Sequence, residues 1–415
     1  MKILYVVTGQ SYFAANPSRK ILALVRCWSE MGHEVELICG GDVAMGNAGL
    51  GESGDNKSVT AGSRASDPWY RSLKYLAPIV NTISEIKNIR HDIRLSGVVA
   101  ERIAKFKPDI YLQRSSRIDG RTLASAKKTG VPTVLEWKDG IVCSSGAIRA
   151  LGRSDLYGFS FLKEYARGVE VCKEKSVDFF IVESEVLKRR LSVELKRDES
   201  SFFVAHNAVN ISDFDLDAVD KQAEARKQLG LGASDFIAVF VGSFAWYQGV
   251  ELLVEAAAKD EAGLPPISVV LVGDGPGRNG VESLAKELGV EERIKFVGKV
   301  SYDKVPLYLS AANAAVLPDC TEIICPIKIL EYMAMGATAV LPDYEANREV
   351  VEHDVTGILF SPRNPDALHN ALRRLQKNPG KNIEIGAAGR KRAAESFSWA
   401  STWGLAIEDI SDIAQ

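Results

Sequence analysis

Few residues of this sequence are suited to disulfide bonds or metal sites. Its 415 residues include six cysteines and five histidines, and the cysteines lie apart at positions 27, 39, 143, 172, 320 and 325. They form no CxxC pair and have no histidine at ligand spacing. This pattern indicates neither a disulfide framework nor a zinc site, so we expect no bound metal. A reducing, cytoplasmic compartment fits this cysteine usage best.

The start of the chain, MKILYVVTG, has no long apolar run. Its run of five apolar residues ends at Thr8 and Gly9, and a secretory signal or a membrane-spanning helix needs more. The segment is typical of a buried first strand. The composition, 46% hydrophobic and 25% charged, is that of a globular protein. A chain of this length favours two domains.

The net charge of −3 is small but unevenly distributed. Residues 1–212 carry 31 basic and 24 acidic side chains, a balance of +7, whereas residues 213–415 carry 20 and 30, a balance of −10. The basic residues are too scattered for a nucleic-acid-binding stripe. The asymmetry predicts either a phosphate-bearing acceptor or an anionic membrane surface next to the first domain, or two domains that merely differ in surface charge.

Short apolar runs rich in β-branched residues alternate with helical patterns along the chain. This alternation predicts an α/β fold with two doubly wound parallel sheets, one in each half, that face each other across a cleft. We expect the domains to meet near residues 208–215, with ligands at the carboxyl ends of the strands. The predicted strands are 2–7, 34–39, 109–113, 132–137 and 178–182, then 236–242, 267–273, 294–297, 314–317 and 337–341.

Two segments of the first half have an unusual composition. Residues 40–67 are rich in Gly, Ser, Asn and Asp, which predicts a mobile loop. The stretch that begins at Trp69 mixes aromatic residues with basic ones such as Arg71 and Lys74. Such a stretch lies either at a membrane interface or in an ordinary helix that faces the core.

A GxGxxG pattern at Gly275, Gly277 and Gly280 follows a predicted strand and precedes a predicted helix. The dinucleotide-binding interpretation also requires an acidic residue at the end of the next strand. That strand, IKFVG, is followed by Lys299 and Val300, so the pattern gives little support to a dehydrogenase. We expect a close backbone approach near a bound ligand at this turn.

Eight short stretches follow one another in a characteristic order: GHEVELI (32–38), HNAVNISDF (206–214), VFVGSFAWYQGVELLVEA (239–256), LVGDGPG (271–277), IKFVGKV (294–300), PIKILEYMAMG (326–336), TGILF (356–360) and FSW (397–399). In this order they resemble the retaining GT-B-fold glycosyltransferases of family 4, also described as glycosyl transferases group 1. The resemblance covers nearly the whole chain and is densest from 206 to 400.

The resemblance implies a donor site for a nucleoside diphosphate sugar in the second domain. It places Glu331 on the ribose hydroxyls and the backbone around Val300 on the base. On a helix Glu331 shares one face with Ile327, so the carboxylate points with an apolar stripe. A structural ion pair with Lys328 is the alternative for this carboxylate. The other predicted donor-binding residues are Gly9, Gln10, Gly242, Ser243, Gln248, Gly273, Gly275 and Ile327.

The sequence departs from the family pattern at two places. The first of two glutamates is expected at position 323, which is Ile323, so Glu322 either takes over that role or is simply exposed. The loop that usually carries an Arg and a Lys for the diphosphate has Ser243 and Gln248. We expect Lys328 to supply the missing positive charge, since a leaving diphosphate needs a cation.

Candidate acceptor-side residues lie in the first half. Asp139 follows the strand PTVLEW and either binds an acceptor hydroxyl or caps the next segment. Arg114, after the strand DIYLQ, is a candidate for an anionic acceptor. We expect His33 and His206 to be turn residues rather than catalysts.

The resemblance also implies what the protein does. It implies transfer of a sugar from a nucleoside diphosphate sugar to a hydroxyl of a glycan or lipid-linked acceptor, with retention of configuration, in cell-envelope or exopolysaccharide synthesis. It requires no cofactor besides the donor and no nucleic acid, and it allows a peripheral position on the inner face of a membrane. The expected domains are 1–212 and 213–396, with a helix near 397–415 that packs back on the first. A nucleotide-sugar epimerase and a non-catalytic sugar-nucleotide binder are the alternatives.

Overall fold

The computed structural model describes residues 1–8, 19–39, 42–45, 77–114, 120–137, 175–214, 222–259 and 261–414. The chain forms two compact units. The first comprises Met1–Val182, Lys188–Ala205 and Trp403–Gln415, and the second comprises Glu183–Leu187 and His206–Thr402. The observed division after residue 205 lies seven residues before the expected one. Val209 donates a hydrogen bond to the carbonyl of Phe397, and Phe214 lies in the core of the second unit, which accounts for the difference.

The described part of the first unit contains a seven-stranded sheet with the order β3-β2-β1-β4-β5-β6-β7. All neighbouring strands are parallel except β2 and β3. The central strands are runs of buried apolar residues, as expected for a sheet covered on both faces. The strands are β1 (Lys2–Val7), β2 (Glu34–Cys39), β3 (Asp42–Met45), β4 (Ile110–Arg114), β5 (Thr133–Glu136), β6 (Phe179–Val182) and β7 (Phe202–Val204).

Four helices accompany these strands in the described ranges: α1 (Arg19–Glu30), α2 (Ala77–Phe106), α3 (Gly120–Lys127) and α4 (Glu185–Leu195). The first helix is amphipathic and buries Ile21, Leu24 and Trp28. It is followed by Gly32 with a φ of 87°, a left-handed conformation that glycine commonly adopts just after a helix. None of the described helices of the protein is long and apolar enough to cross a membrane.

The second unit contains a six-stranded parallel sheet with the order β10-β9-β8-β11-β12-β13. Its strands are β8 (Phe236–Val241), β9 (Ile267–Val272), β10 (Ile294–Gly298), β11 (Ala314–Val316), β12 (Thr338–Pro342) and β13 (Ile358–Phe360). Its helices are α5 (Gln222–Leu229), α6 (Val250–Ala257), α7 (Arg278–Glu287), α8 (Val305–Ser310), α9 (Ile327–Ala334), α10 (Glu345–Val350), α11 (Pro365–Lys377) and α12 (Pro379–Ser396). The two doubly wound sheets confirm the predicted α/β fold.

The C-terminal segment consists of a π-helix (Ala400–Gly404) and a last helix, α13 (Leu405–Ala414). Trp403 is fully buried in the first unit. Its carbonyl accepts from the indole of Trp28 at 3.4 Å, and the ammonium of Lys20 lies 4.1 Å from its ring. The segment from Trp403 onward therefore belongs to the first unit, and the preceding residues from 397 belong to the second.

Candidate functional site

The carboxyl ends of β8 and β9 form a surface of closely packed backbone in the second unit. The amide of Gly242 donates to the carbonyl of Val272 at 2.9 Å, and that of Gly273 donates to the carbonyl of Gly298 at 2.8 Å. Gly273 has a φ of 129°, and a Cβ at this position would collide with the carbonyl of Gly242. Only glycine fits here, so the predicted positions 242 and 273 are held together at this edge.

The glycine-rich turn makes its close approach to the protein's own chain. A Cβ on Gly275 would lie 2.7 Å from the amide nitrogen of Phe244. The amide of Gly277 also donates to the carbonyl of Phe244 at 2.8 Å. Packing against the loop after β8 therefore explains Gly275 and Gly277, whereas a Cβ at Gly280 would meet no atom within 4 Å.

Glu331 lies in the second turn of α9, half-buried among apolar neighbours. Its Oε1 accepts a hydrogen bond from the hydroxyl of Tyr302 at 2.8 Å. Tyr302 follows β10 and packs edge-on against Phe214, with ring centroids 5.9 Å apart. Val300, the predicted base contact, lies two residues earlier and is partly buried against the same core. The carboxylate is thus held beside the carboxyl end of β10.

Lys328 lies one turn before Glu331 on the same helix. Its Nζ donates to Oε1 of Gln248 at 2.5 Å and lies 4.8 Å from the ring centroid of Phe240. Burial lowers the pKa of Lys328 to about 8, although the nearby carboxylate of Glu331 acts in the opposite direction. A Cβ at Gly242 would collide with this ammonium. The ammonium of Lys328 therefore lies directly beside the glycine edge, which is formed by Gly242 and Gly273 at the carboxyl ends of β8 and β9.

The loop after β8 contains the predicted residues Ser243 and Gln248 in different environments. Ser243 is exposed, whereas Gln248 is buried, and its carbonyl accepts from the amide of Asp319 at 3.1 Å. Ile327 is the first residue of α9 and is partly exposed. Pro326 is the N-cap of this helix, with a ψ of 144°. Its extended conformation turns the chain sharply into the helix.

Two polar side chains that no sequence motif indicated fix the loop before α9. The hydroxyl of Ser184 donates to the carbonyl of Ile323 at 2.5 Å, and the amide of Asn207 donates to the carbonyl of Cys325 at 3.1 Å. Both side chains are buried. Asn207 stands in the recognised stretch HNAVN, but nothing in the spacing of the sequence connects Ser184 with residue 323.

Glu322 is exposed, and its carboxylate lies 3.5 Å from the guanidinium of Arg363. Arg363 also donates to Asp319 at 3.2 Å and has a positive φ of 55°. Of the two alternatives for Glu322, the structure gives the exposed position, paired on the surface with an arginine. Ile323 occupies the position at which a glutamate was expected.

Arg114 differs from its prediction. It is buried, and its guanidinium lies 2.6 Å from the carboxylate of Glu136, which also accepts from the hydroxyl of Tyr5 at 2.8 Å. The cations of Arg114 and Lys20 and the hydrogen bond from Tyr5 hold the pKa of Glu136 below its usual value despite its complete burial. Because Arg114 is engaged in this buried pair, the prediction that it faces an anionic acceptor is wrong.

Several predicted residues lie outside the described part of the chain. Gly9, Gln10 and Asp139 do so, as do most of the predicted loop at 40–67 and the stretch around residues 69–75. His206 is described, and its Nε2 lies 2.7 Å from the carboxylate of Glu349. That carboxylate also accepts from the amides of Glu185 and Val186, so His206 is part of a structural network. Within the described ranges, no three His, Cys, Asp or Glu side chains are grouped to hold a metal ion.

Comparison with known proteins gives a consistent result. The family described as "Glycosyl transferases group 1" matches residues 221–392. An uncharacterized glycosyltransferase of Methanocaldococcus jannaschii is 27% identical over 243 residues, which are 57% of this chain and 59% of that protein. The chain thus spans less than two thirds of this curated relative.

Two solved structures share the fold over nearly their full lengths. A glycosyltransferase from Rickettsia africae has a TM-score of 0.70 at 17% sequence identity. The match covers 100% of this chain and 98% of the Rickettsia chain. HepE of Anabaena, solved in complex with UDP-glucose, has a TM-score of 0.66 at 18% sequence identity. The match covers 99% of this chain and 100% of the HepE chain. At such identities the similarity concerns the fold.

Proposed function

Because residues 221–392 belong to the glycosyl transferases group 1 family and the chain has the GT-B fold, we propose that the protein is a retaining glycosyltransferase. It transfers a sugar from a nucleoside diphosphate sugar to a hydroxyl of a glycan or lipid-linked acceptor. One observation carries this proposal. Two half-buried charged side chains, those of Glu331 and Lys328, lie one helical turn apart on α9, with Lys328 beside Gly242 at the carboxyl end of β8.

The carboxylate of Glu331 accepts hydrogen bonds from the two neighbouring hydroxyls of the donor ribose. A carboxylate has about four acceptor positions, and the hydrogen bond from Tyr302 occupies one of them. Tyr302 also limits rotation of the carboxylate, so the ribose meets a group that is already oriented. A half-buried carboxylate is costly unless it is satisfied, and a diol that donates two hydrogen bonds satisfies it further.

The ammonium of Lys328 neutralises negative charge on the donor diphosphate. This ammonium is shielded from water by Phe240, and in such surroundings an ion pair is stronger than in bulk solvent. Gln248 holds the ammonium beside Gly242, where the absence of a side chain leaves room for the ammonium at the carboxyl end of β8. The loop after β8 therefore needs no cation of its own at Ser243 or Gln248.

The transfer step breaks the bond between the anomeric carbon and the diphosphate oxygen. The acceptor hydroxyl forms the new glycosidic bond on the same face of the sugar, and its proton passes to the departing phosphate oxygen. Negative charge grows on the diphosphate in the transition state, where Lys328 stabilises it. Charge stabilisation by Lys328 together with the amides at the start of α9 makes the reaction independent of a metal ion.

The complex of HepE with UDP-glucose supports a nucleoside diphosphate sugar as the donor. The balance of +7 in residues 1–212 supports an acceptor that bears phosphate, or an anionic membrane surface that presents it. These features suit a cytoplasmic or peripheral membrane enzyme of cell-envelope or exopolysaccharide synthesis.

The proposal is tested by measuring release of nucleoside diphosphate from UDP-, GDP- and ADP-sugars, with and without a pool of glycan and lipid-linked acceptors. We expect release with one donor that depends on acceptor, and a product whose anomeric configuration, read by NMR, matches that of the donor. Conversion of the donor without acceptor would indicate an epimerase. Nucleotide binding without any consumption would indicate a non-catalytic binder.

The matched variants are Lys328→Met and Lys286→Met, since Lys286 is an exposed lysine on α7 of the same unit. We expect Lys328→Met to lower kcat by about a hundredfold or more, as for other groups that stabilise transition-state charge. Lys286→Met keeps the wild-type rate. Equal rates for the two variants would contradict the role of Lys328.

A further inference from the structure

Trp246 and Tyr247 form an exposed aromatic pair in the turn after β8. The side chains are 72% and 39% exposed, and their ring centroids are 5.8 Å apart at an interplanar angle of 87°. No other aromatic residue is among the exposed large hydrophobic residues of the described chain. Aromatic rings of this size are usually buried, so two adjacent exposed rings mark a surface that meets a partner.

The turn that carries the pair is fixed by its neighbours. The amide of Gln248 donates to the carbonyl of Ala245 at 2.9 Å, and the carbonyl of Gln248 accepts from Asp319 at 3.1 Å. Gly249 follows with a φ of 58°, and a Cβ there would lie 2.6 Å from Cβ of Asp319. The rings are therefore presented on a closed turn, and a ligand that stacks on them does not have to order it.

The segment that carries the pair has no charge of its own and has polar groups beside the rings. Residues 242–250 read GSFAWYQGV and contain no charged side chain, although 25% of the whole chain is charged. The surface has three hydrogen-bonding groups: the hydroxyl of Ser243, the indole N–H of Trp246 and the hydroxyl of Tyr247. Within the described residues, no protein group hydrogen bonds to any of the three side chains.

These properties select the kind of ligand. A phosphate requires a cation or a cluster of donors, and an anionic membrane surface requires basic residues next to the apolar ones. A stable protein partner requires about 800 Å² on each side, far more than two side chains provide. A sugar ring has an apolar C–H face that stacks on an aromatic ring and hydroxyl groups that bond to its polar edge, so it matches this surface.

Resting on the proposed function, we infer that Trp246 and Tyr247 form a binding subsite for a neutral sugar residue of the acceptor. The pair is connected to the proposed donor site by the next residue, Gln248, which holds Lys328. Donor sugars react where water is excluded, whereas these rings are open to solvent. A longer ligand such as an acceptor glycan can extend across such a surface and still reach the donor.

The test uses the full chain with ¹⁵N in the indoles of its six tryptophans, and Trp246→Phe identifies the signal of Trp246. The probes are methyl glycosides of glucose, galactose, mannose and N-acetylglucosamine, together with maltose and cellobiose. We expect saturable shifts of the Trp246 signal at millimolar concentrations, which correspond to the weak affinity of one sugar ring. Tyr247→Ala weakens binding about fivefold or more, and Leu288→Ala, an exposed apolar control, leaves it unchanged.

Three results would overturn the subsite. One is the absence of any shift with these neutral sugars. Another is an equal response to phosphatidylglycerol vesicles, which would indicate a lipid surface. The third concerns the thermal stabilisation of the protein by UDP, GDP or ADP. If Trp246→Ala loses the stabilisation that the wild type shows, the rings belong to the donor site. If no nucleotide stabilises the wild type, the proposed function fails instead, whatever the sugars do.

Discussion

Replacing Lys328 with methionine is expected to stabilise the nucleotide-free protein and to weaken nucleotide binding. The ammonium is enclosed by Phe240 and Gln248, and burial lowers its pKa from an ordinary 10.5 to about 8. At about 1.4 kcal/mol for each pH unit, holding the charged form in this place costs about 3 kcal/mol. Methionine is similar in length and uncharged, so it removes the cost.

The substitution also leaves the side-chain carbonyl of Gln248 without its donor, which costs about 1 kcal/mol. The expected gain in the free energy of unfolding at pH 7 is therefore about 2 kcal/mol. The cost of the charge is fully present below pH 8, where Lys328 is protonated in both the folded and the unfolded chain. It falls between pH 8 and 10.5, because only the unfolded chain then keeps the proton. The advantage of the variant should disappear over this range.

The assay is urea unfolding of wild type, Lys328→Met and the exposed control Lys286→Met at pH 7 and at pH 10. Thermal shifts with UDP, GDP and ADP are measured on the same samples. The control should stay within about 0.5 kcal/mol of wild type at both pH values. Two results would refute the reasoning. One is that Lys328→Met destabilises the protein equally at pH 7 and pH 10, and the other is that the nucleotides raise the melting temperature of Lys328→Met as much as that of wild type.

Four further results are expected. Nucleoside diphosphate affinity should fall as pH rises above 8, measured by calorimetry, because the ammonium of Lys328 loses its proton; a flat profile from pH 7 to 9.5 would contradict this. Tyr302→Phe should weaken nucleotide binding about threefold and leave the fold intact, since one hydrogen bond to Glu331 is lost. Ser184→Ala and Asn207→Ala should each destabilise the protein by about 1 to 3 kcal/mol and raise the donor KM, with Ser184→Thr restoring the KM. Turnover should persist in excess EDTA, and a loss that only added metal restores would show that Lys328 does not replace a cation.

The repeating pattern of the sequence predicted both sheets because parallel strands buried on two faces are nearly continuous apolar runs. The run from Ile267 to Val272 and the run from Phe236 to Val241 illustrate this. The short strand β13, Ile358–Phe360, was recognised only as part of a motif, since three residues carry little periodicity. The helix α12 also escaped prediction, because four of its 18 residues are glycine or proline and its face is weakly apolar.

The site was predictable where one residue breaks a local rule. Glu331 stood out as a carboxylate in an apolar helix, and the structure places it half-buried with a tyrosine partner. Contacts between distant parts of the chain gave no such signal. The partner of Lys328 is Gln248, 80 residues away, and the sequence offered only the nearby Glu331 as a candidate. The burial of Arg114 against Glu136, 22 residues away at the end of the neighbouring strand, was missed for the same reason.

The central claim is that Glu331 holds the ribose of a nucleoside diphosphate donor. Calorimetric titration of wild type, Glu331→Ala and Glu322→Ala with UDP, GDP, ADP and NAD tests it most directly. The account predicts one nucleoside diphosphate bound per chain by wild type and by Glu322→Ala, and an affinity at least about tenfold weaker for Glu331→Ala. Equal affinity of Glu331→Ala and wild type, or binding of NAD alone, would contradict it.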